Sequence, residues 1–326
     1  MASQQAKKRL PPSAYTVAFI CPLEVEMSAA RYMLDEEHHR LPTADGDTNQ
    51  YILGEISGHN ITIASLPMGY QGAAPVATVA SHISRTFPSV ILRILVGIGG
   101  GVPSQNADIR LGDVVVSVPE GTLGGVVEYD LGKRTPTGFQ RKGFLCPPPK
   151  EWLAVLPRMR SDHRVQRNNV SGYISAMISR FPELKDYSRP ENDVLYRADY
   201  HHNSECKTCE KCSMEEAVVR CTRRHPNDPV IHYGLIASGN QVIKDAIQRD
   251  EISNMAGGVL CFEMEAAGLM NDFQCIVIRG ISDYADSHKN DLWQPYAAAA
   301  ATGVAKEILS YIDPPSSMLF PPVYKP

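Results

Sequence analysis

The chain has 326 residues, of which 43% are hydrophobic, and a formal net charge of −4 at pH 7, so it can bury a sizeable core as one large α/β domain or two smaller ones. Acidic and basic residues are well mixed, and the basic excess of a general nucleic-acid-binding protein is missing, so no nucleic-acid partner is expected. No apolar run is long enough to span a membrane and the N-terminus lacks the apolar segment of a secretory signal, so we expect a cytoplasmic protein without membrane contact.

The first half of the chain alternates apolar strands with amphipathic helices. A short apolar run up to Leu23 predicts a buried strand, and the spacing of apolar residues after it predicts a helix. Two strands joined at Ser57 and Gly58 predict a hairpin, and the small-residue segment GAAPVATVASHISRTF predicts the next helix. The run VILRILVGIGGGV predicts a strand that ends in a glycine turn, and LGDVVVSVP predicts a further strand.

The second half shows the same alternation after a polar region. VIHYGLIASG and QCIVIRGIS predict strands, whereas CFEMEAAGLMND and YAAAAATGVAKEILSYI predict helices, which makes the class α/β with a buried, mixed sheet. One domain is expected over 15–312, with a polar, Pro-containing and partly mobile insertion at about 147–229. Residues 1–14 predict a disordered tail and residues 313–326 a Pro-rich tail.

Acidic residues follow several of these predicted elements. Glu26 follows the first strand, Asp283 follows QCIVIRGIS, and Glu263 and Glu265 lie in the predicted helix CFEMEAAGLMND. Each has an ordinary structural explanation: Ser282 or Asp283 as a helix N-cap, and the two glutamates as surface groups near a helix N-terminus. Acids that converge at the carboxyl ends of sheet strands instead predict a ligand site. Glu265 would then accept hydrogen bonds from a diol such as a ribose, while Glu263 is expected to face solvent.

Several segments together resemble the nucleoside phosphorylase/nucleosidase superfamily. The matching motifs occur in family order and are PLEVEM, PMGYQGAAPVA, VGIGGGV with RLGDVVVS, IASGNQVI, FEMEAAGL and RGISDYAD. HYGLIASGNQV and DYADSHKN are most similar to the phosphorylase-type domain of fungal NLR-like proteins. The resemblance implies a three-layer α/β/α fold around a distorted mixed sheet. It also implies cleavage of the N-ribosidic bond of a purine nucleoside without a catalytic cofactor, and a homo-oligomer, expected to be a dimer.

The resemblance also assigns roles to individual residues. Asp283 would protonate N7 of the purine with Ser282 orienting it, Glu265 would bind the 2′- and 3′-hydroxyls, Met264 would pack on the sugar, and Glu26 would orient the attacking water. This agrees with the chemistry, because an oxocarbenium-like state needs a protonated leaving base and a nucleophile on the opposite face. Further substrate-binding positions in the matching motifs are Val242, Gly69, Gly97 and Ile98.

The glycine-rich strand favours water over phosphate as the nucleophile. Leu95 and Ile98 stand where phosphorylases of this superfamily usually have an Arg and a Ser or Thr, and Arg93 lies two residues too early. Burying phosphate without a cation is unfavourable. Hydrolysis of adenosine, guanosine or a 5′-substituted adenine nucleoside or nucleotide such as ATP is therefore predicted. A purine nucleoside phosphorylase is the alternative, and a non-catalytic nucleoside-sensing module is the second alternative.

Two polar segments allow further hypotheses. The basic segment DLGKRTPTGFQRKGF is either a solvated loop or a clamp for nucleotide 5′-phosphates. The basic residues of such a clamp would be Lys133, Arg134, Arg141 and Lys142, joined by Arg110 and Lys289. In HHNSECKTCEKC, the spacing of Cys206, Cys209 and Cys212 after His201 and His202 suits a tetrahedral, structural zinc site without a catalytic role. The alternative for this second segment is a metal-free loop.

Overall fold

A computed structural model describes residues 7–202 and 208–314 of the chain. The strands are β1 (Val17–Cys21), β2 (Glu36–Glu37), β3 (Tyr51–Ile56), β4 (His59–Ser65), β5 (Leu92–Gly101), β6 (Val114–Ser117), β7 (Val126–Glu128), β8 (Gly132–Thr135), β9 (Gly138–Arg141), β10 (Ile231–Gly234), β11 (Ile236–Ser238), β12 (Cys261–Glu263) and β13 (Ile276–Asp283). The α-helices are α1 (Glu24–Tyr32), α2 (Ala73–Thr86), α3 (Lys150–Asp162), α4 (Val170–Arg180), α5 (Ala246–Met255) and α6 (Gln294–Ser310). Short 3₁₀ turns lie at Pro12–Ala14, Pro182–Tyr187, Cys209–Lys211, Met214–Glu216 and Ala266–Gly268.

Eleven strands form one mixed sheet. Its main path runs β10-β6-β13-β5-β1-β4-β3-β2, and β12, β11 and β7 branch from it at the end of β5. The long strand β5 pairs in parallel with β1 along its first part and with β13 along most of its length, and its carboxyl end pairs antiparallel with β12. The predicted hairpin is present as the antiparallel pair β3 and β4. Strands β8 and β9 form a separate two-stranded ribbon.

Helices cover both faces of the sheet. Side chains alternate along β1, so that Val17 and Phe19 join a core with α1, α3, α4 and α6, whereas Ala18 and Ile20 join a core with α2. Helix α6 lies very close to the sheet, because a Cβ on Gly280 of β13 would stand 1.9 Å from the Ala297 carbonyl oxygen. The prediction of a three-layer α/β/α fold around a mixed sheet is confirmed.

Two local predictions were wrong. The segment predicted as a helix over 261–272 is the short strand β12 followed by the 3₁₀ turn Ala266–Gly268, because Cys261 and Phe262 pair with the end of β5. The expected glycine turn is also absent from this region, since β5 continues as a strand through Gly101. Gly100 and Gly101 are paired with β12, and neighbouring atoms stand so close to these glycines that an added Cβ would collide with them.

Parts of the predicted insertion and of the predicted N-terminal tail make contacts with the rest of the domain. Within 147–229, helices α3 and α4 bury Trp152, Met159 and Ile174 in the same core as α6, so this part belongs to the body of the domain. Ahead of β1, the Lys8 carbonyl accepts a hydrogen bond from the His39 N–H at 2.8 Å, so residues 8–14 contact the domain. Residues 1–6, 203–207 and 315–326 lie outside the described part. No helix within the described ranges has the length and apolar character needed to cross a membrane.

Candidate active site

The predicted acids meet in one pocket of about 180 Å³ at the carboxyl ends of β1, β5, β12 and β13. This edge is where parallel strands of an open α/β sheet form ligand sites. The lining includes Leu23, Glu26, Gln71, Ile98, Gln241, Val242, Phe262, Glu263, Met264, Glu265, Arg279, Ser282, Asp283 and Lys289. A larger cleft of about 1380 Å³ lies between α3 and the 223–233 segment, but it contains none of these acids.

Glu26 is held by backbone donors in the first turn of α1. Its carboxylate accepts hydrogen bonds from Leu23 N–H at 2.6 Å and from Ile98 N–H at 2.8 Å, which joins the end of β1 to β5. The side chain is almost fully buried, with Arg279 Nη1 at 3.9 Å. Burial raises the pKa of Glu26 to about 7, although Arg279 and the two N–H groups act in the opposite direction. A carboxylate with such a pKa is suited to accept a proton near neutral pH.

Arg279 is the charged centre of the site, and sequence reasoning missed it. Its side chain is 1% exposed, and Nη2 contacts both Glu263 and Glu265, the latter at 3.2 Å. Nη1 donates to the Ile98 carbonyl oxygen at 3.3 Å. The signal in the sequence was a single arginine within the apolar run CIVIRGIS. Such a residue in a buried strand needs acidic partners, and three were available.

The two glutamates of the FEME segment have different partners. Glu263, which was expected to face solvent, is buried and accepts hydrogen bonds from Glu265 N–H at 3.1 Å and Ala266 N–H at 3.0 Å, so that prediction was wrong. Glu265 is also buried, and its Oε1 accepts from Gly72 N–H at 3.3 Å. Burial raises the pKa of Glu265, and the charge of Glu263 adds to this effect, while Arg279 opposes it.

Asp283 lies at the opposite side of the pocket, at the end of β13. Its Oδ1 accepts from Ala285 N–H at 2.9 Å, and its Oδ2 accepts from the Ser282 hydroxyl at 2.9 Å and from the Lys289 ammonium. The Asp283 side chain is 3% exposed, and that of Lys289 is 23% exposed. Lys289, which was predicted as a possible member of a phosphate clamp, therefore lies in the pocket but is paired with the predicted acid.

The glycines of β5 make these approaches sterically feasible. A Cβ on Gly97 would stand 2.3 Å from Glu26 Oε1 and 2.5 Å from Arg279 Nη1, and a Cβ on Gly100 would stand 2.9 Å from Asp283 Oδ1. Any larger residue at Gly97 would displace the carboxylate or the guanidinium. The structure thus places Gly97 behind the charged cluster rather than in the pocket lining.

The remaining predicted contacts fall into two groups. Met264, Val242 and Ile98 line the pocket, as a substrate contact requires. Gly69 is exposed and is not among the described lining residues; in the same turn Gly72, whose φ is +91°, donates its N–H to Glu265.

Of the residues predicted for a 5′-phosphate clamp, Lys289 lines the pocket, whereas Arg110 and the cations of the β8–β9 segment are not among its described lining residues. Arg93 donates to the Ser84 hydroxyl at 3.1 Å, and Arg110 contacts the carboxylate of Asp108 at 2.8 Å. Among the described residues that line the pocket, the only cations are Arg279 and Lys289, and both are paired with carboxylates. The other predicted cations lie on the exposed β8–β9 ribbon or directly after it and do not line the pocket: Lys133, Arg134, Arg141 and Lys142.

The predicted zinc ligands are only partly described. Cys206 lies outside the described residues. Cys209 and Cys212 do come together, and a ring nitrogen of His202 and the two sulfur atoms all lie within 4.8 Å of one another. Within the described residues, these three side chains form a ligand group next to the pocket wall that carries Lys289.

The fold and the acidic pocket together define an α/β protein with a candidate ligand site at the carboxyl edge of its mixed sheet. The family model of the phosphorylase superfamily matches residues 16–310, and the chain belongs to that superfamily. A nucleotide-binding leucine-rich repeat (NLR)-like protein of Hyaloscypha variabilis is 41% identical over 308 residues. That match covers 94% of this chain but only 30% of the relative, so the chain spans less than a third of that protein's length.

Solved structures with the same fold include nucleosidases and futalosine hydrolase. A 5′-methylthioadenosine/S-adenosylhomocysteine nucleosidase of Neisseria meningitidis in complex with methylthio-immucillin-A superimposes with a TM-score of 0.58 at 17% identity, covering 91% of this chain and 99% of that one. Futalosine hydrolase of Helicobacter pylori gives a TM-score of 0.59 at 15% identity, covering 92% and 99%. A putative nucleosidase of the first kind from Borrelia burgdorferi, bound to adenine, gives 0.58 at 16% identity, covering 91% and 100%. At such identities the likeness shows the fold alone.

Proposed function

We propose that the protein is a purine nucleoside N-ribosyl hydrolase that releases the free base from adenosine- or guanosine-type nucleosides or from a 5′-substituted adenine nucleoside or nucleotide such as ATP. The observation that carries the proposal is the pairing of a buried carboxylate of raised pKa, Glu26, with Asp283 in the same small pocket. Cleavage of an N-ribosidic bond needs a base for water and an acid for the leaving group, and these two carboxylates supply them.

In the proposed reaction, Glu265 accepts hydrogen bonds from the ribose 2′- and 3′-hydroxyls, and Met264 packs against the sugar. Glu26 takes a proton from water as the water oxygen bonds to C1′ of the ribose. The electron pair of the broken C1′–N9 bond goes to the purine, which receives a proton at N7 from Asp283. Both Asp283 oxygens accept hydrogen bonds, Oδ2 from the Ser282 hydroxyl and the Lys289 ammonium, so Asp283 must take up the proton that it passes to N7, and Lys289 is the adjacent source. The proton held by Glu26 then returns to Lys289 through solvent. The net change is addition of water across the bond.

The charge distribution supports hydrolysis over phosphorolysis. Three carboxylates surround Arg279, and Lys289 is held by Asp283, so no lining cation of the described residues is free for a phosphate nucleophile. An anion entering beside buried carboxylates would be strongly disfavoured. The positions of Arg110 and of the basic β8–β9 ribbon do not favour a clamp for 5′-phosphates, so adenosine and ATP are compared directly in the experiment.

The experiment is chromatographic analysis of adenosine, guanosine and ATP after incubation with the purified protein, with and without inorganic phosphate. Free base together with ribose or ribose 5′-triphosphate is expected in both conditions. Release that requires phosphate and yields ribose 1-phosphate would identify a phosphorylase instead. The Asp283→Asn variant is the matched control, because it preserves the shape of the side chain, and it should lose most of the release.

A sensing module without turnover is the second candidate, and the similarity to an NLR-like protein is the observation that favours it. In that case the pocket would bind a purine nucleoside or nucleotide and leave it intact. Calorimetric titration with adenosine and ATP separates the two candidates. Binding without any base release from the three substrates would support the sensor, whereas release at the same pocket supports the hydrolase.

A further inference from the structure

The pocket wall that carries Lys289 is held by a part of the predicted insertion. The ring of Tyr196 stacks on the ring of His288 with centroids 4.2 Å apart, and His202 N–H donates to the Ser287 hydroxyl at 3.0 Å. Cys209 Sγ donates to the His288 carbonyl oxygen at 3.6 Å. We call residues 286–290 the wall loop. Its conformation depends on side chains that come from about eighty residues earlier in the chain.

Three of these side chains are arranged as metal ligands. Cys209 begins the 3₁₀ turn Cys209–Lys211, and the Cys212 N–H closes this turn on the Cys209 carbonyl oxygen at 3.0 Å, which turns both sulfur atoms to one side. A ring nitrogen of His202 completes a group whose ligand atoms lie within 4.8 Å of one another. Two thiolates on a tetrahedral zinc ion are about 3.8 Å apart, so only a small contraction is needed for ligation.

The hydrogen bonds of His202 favour one ring nitrogen as the ligand. Nε2 lies 3.1 Å from the Thr208 carbonyl oxygen, which suits an N–H donor at that position. Nδ1 is then left with a lone pair for a metal. A histidine ligand commonly donates its other N–H to a carbonyl or carboxylate in this way, which fixes the tautomer and the ring orientation.

His288 supplies a second, independent observation. It is 8% exposed, and neither of its ring nitrogens has a hydrogen-bond partner among the described residues. Its ring stands edge-on to the ring of His202 with centroids 5.5 Å apart, and Asp286 Oδ1 lies 3.8 Å from Nδ1. A buried imidazole without partners is unfavourable. Neither nitrogen of His288 lies within 4.8 Å of all three ligand atoms of His202, Cys209 and Cys212, so ligation through Nε2 needs a movement of the His288 ring towards them. Ligation would remove the cost of the unpartnered imidazole and would leave Nδ1 facing Asp286, the side on which a metal-bound histidine commonly has a carboxylate.

We propose that His202, Cys209, Cys212 and His288 bind one zinc ion, which joins the insertion to the wall loop and so positions Lys289 beside Asp283. Two thiolates and two neutral imidazoles neutralise the charge of the ion and form a closed tetrahedral set, which is typical of a structural site. The ion takes no part in bond cleavage. Cys206 lies outside the described residues, and the proposal makes no use of it.

Metal analysis of the purified full chain tests the site without reference to turnover. One equivalent of zinc per chain is expected for the unchanged protein and for Cys221→Ser, a matched control on an exposed cysteine of the same region. Cys209→Ser and Cys212→Ser should lose the metal, and His288→Ala should bind it at least about tenfold more weakly in competition with a chelator. Full zinc content in both cysteine variants would overturn the site, and unchanged affinity in His288→Ala would remove the fourth ligand.

Cobalt titration keeps the test decisive if a cysteine variant does not fold. After zinc removal by a chelator, the unchanged protein should bind one equivalent of Co²⁺ with the visible absorption of a tetrahedral ion and the near-ultraviolet absorption of cobalt–thiolate bonds. Absence of these bands in metal-free protein kept reduced would contradict the proposal. The coupling to Lys289 predicts that zinc removal lowers base release by the unchanged protein more than by Lys289→Ala. An equal fold decrease in base release in both proteins would refute that coupling. The metal content is measured independently of base release, so it tests the zinc site even if the proposed activity is absent.

Discussion

Replacement of Glu26 by glutamine tests the central assignment. The change keeps the size of the side chain but removes a carboxylate that we assign as the base for water. Loss of a positioned general base typically costs a factor of about 10² to 10⁴ in rate. Because the base must be ionised and its pKa is raised to about 7, the rate of the unchanged protein should rise with pH up to about 7 and then level off. In Glu26→Gln the remaining rate should no longer show that rise.

The same pKa gives a magnitude for stability. Burial raises the pKa of Glu26 from 4.5 to about 7, and each pKa unit corresponds to about 1.36 kcal/mol, so the shift amounts to about 3 kcal/mol. A folded-state pKa above the unfolded value means that the folded chain retains a proton that the unfolded chain releases. The free energy of unfolding therefore decreases as pH rises from about 4.5 to about 7. Glutamine does not titrate, so Glu26→Gln should gain about 3 kcal/mol relative to the unchanged protein between pH 4 and pH 8.

Two measurements check these expectations. Base release is followed from pH 5 to pH 9, and unfolding in denaturant is followed over the same range and at pH 4. Glu24→Gln is the matched control, because Glu24 lies in the same helical turn but is exposed and contacts only the Ser28 hydroxyl, at 2.8 Å, among the described hydrogen bonds. An unchanged rate and pH profile in Glu26→Gln, or an equal loss in Glu24→Gln, would refute the assignment.

Four further outcomes follow from the structure. Arg279→Met leaves three buried carboxylates without their shared cation, so a loss of about 3–5 kcal/mol is expected in denaturant unfolding, and an unchanged midpoint would contradict it. Lys289→Ala should lower base release at least about tenfold and equally for adenosine and ATP, whereas a loss confined to ATP would place Lys289 at the 5′-phosphates. Gly97→Ala brings a Cβ to 2.3 Å from Glu26 Oε1, so about 1–3 kcal/mol of stability should be lost on unfolding, with wild-type stability as the contrary result. Met68 and Tyr70 are exposed next to Gln71, which lines the pocket. We expect a second copy of the chain to cover these two side chains, so light scattering should show a dimer, and a monomeric mass would contradict this.

Most of the architecture could be predicted because it depends on local patterns. Apolar runs of strand length and helical periodicity located β1, β3, β4, β13 and the main helices. The FEME segment could not be predicted in this way. Its apolar spacing fits a helix, yet Phe262 pairs with Gly100 across the sheet. The segment forms a strand because the end of β5 lies next to it and offers backbone pairing. Such long-range pairing overrides local preference and leaves no local signal.

The site was predicted in its acids but not in its cations. Glu26 and Asp283 follow predicted strands, so their approach could be inferred from the usual ligand edge of an α/β sheet, and the family resemblance added Glu265. The pairing of Arg279 with all three glutamates depends on where Glu263 points, and the wrong helix prediction had turned that side chain towards solvent. Lys289 could not be located either, because the wall loop is placed by contacts with a distant segment rather than by its own sequence.

The excess of carboxylates over cations in the pocket is relevant to the proposed reaction. Glu26, Glu263 and Glu265 share one guanidinium, so this part of the pocket, where the proposed reaction takes place, carries more negative than positive charge when all three are ionised. This excess contributes to the raised pKa of Glu265 and limits the stability of the empty protein. An oxocarbenium-like state brings a positive charge into that position, so the same excess becomes favourable when the N-ribosidic bond breaks. A phosphate nucleophile would meet the excess as repulsion, whereas water is neutral, which makes hydrolysis the reaction that this arrangement of charges favours.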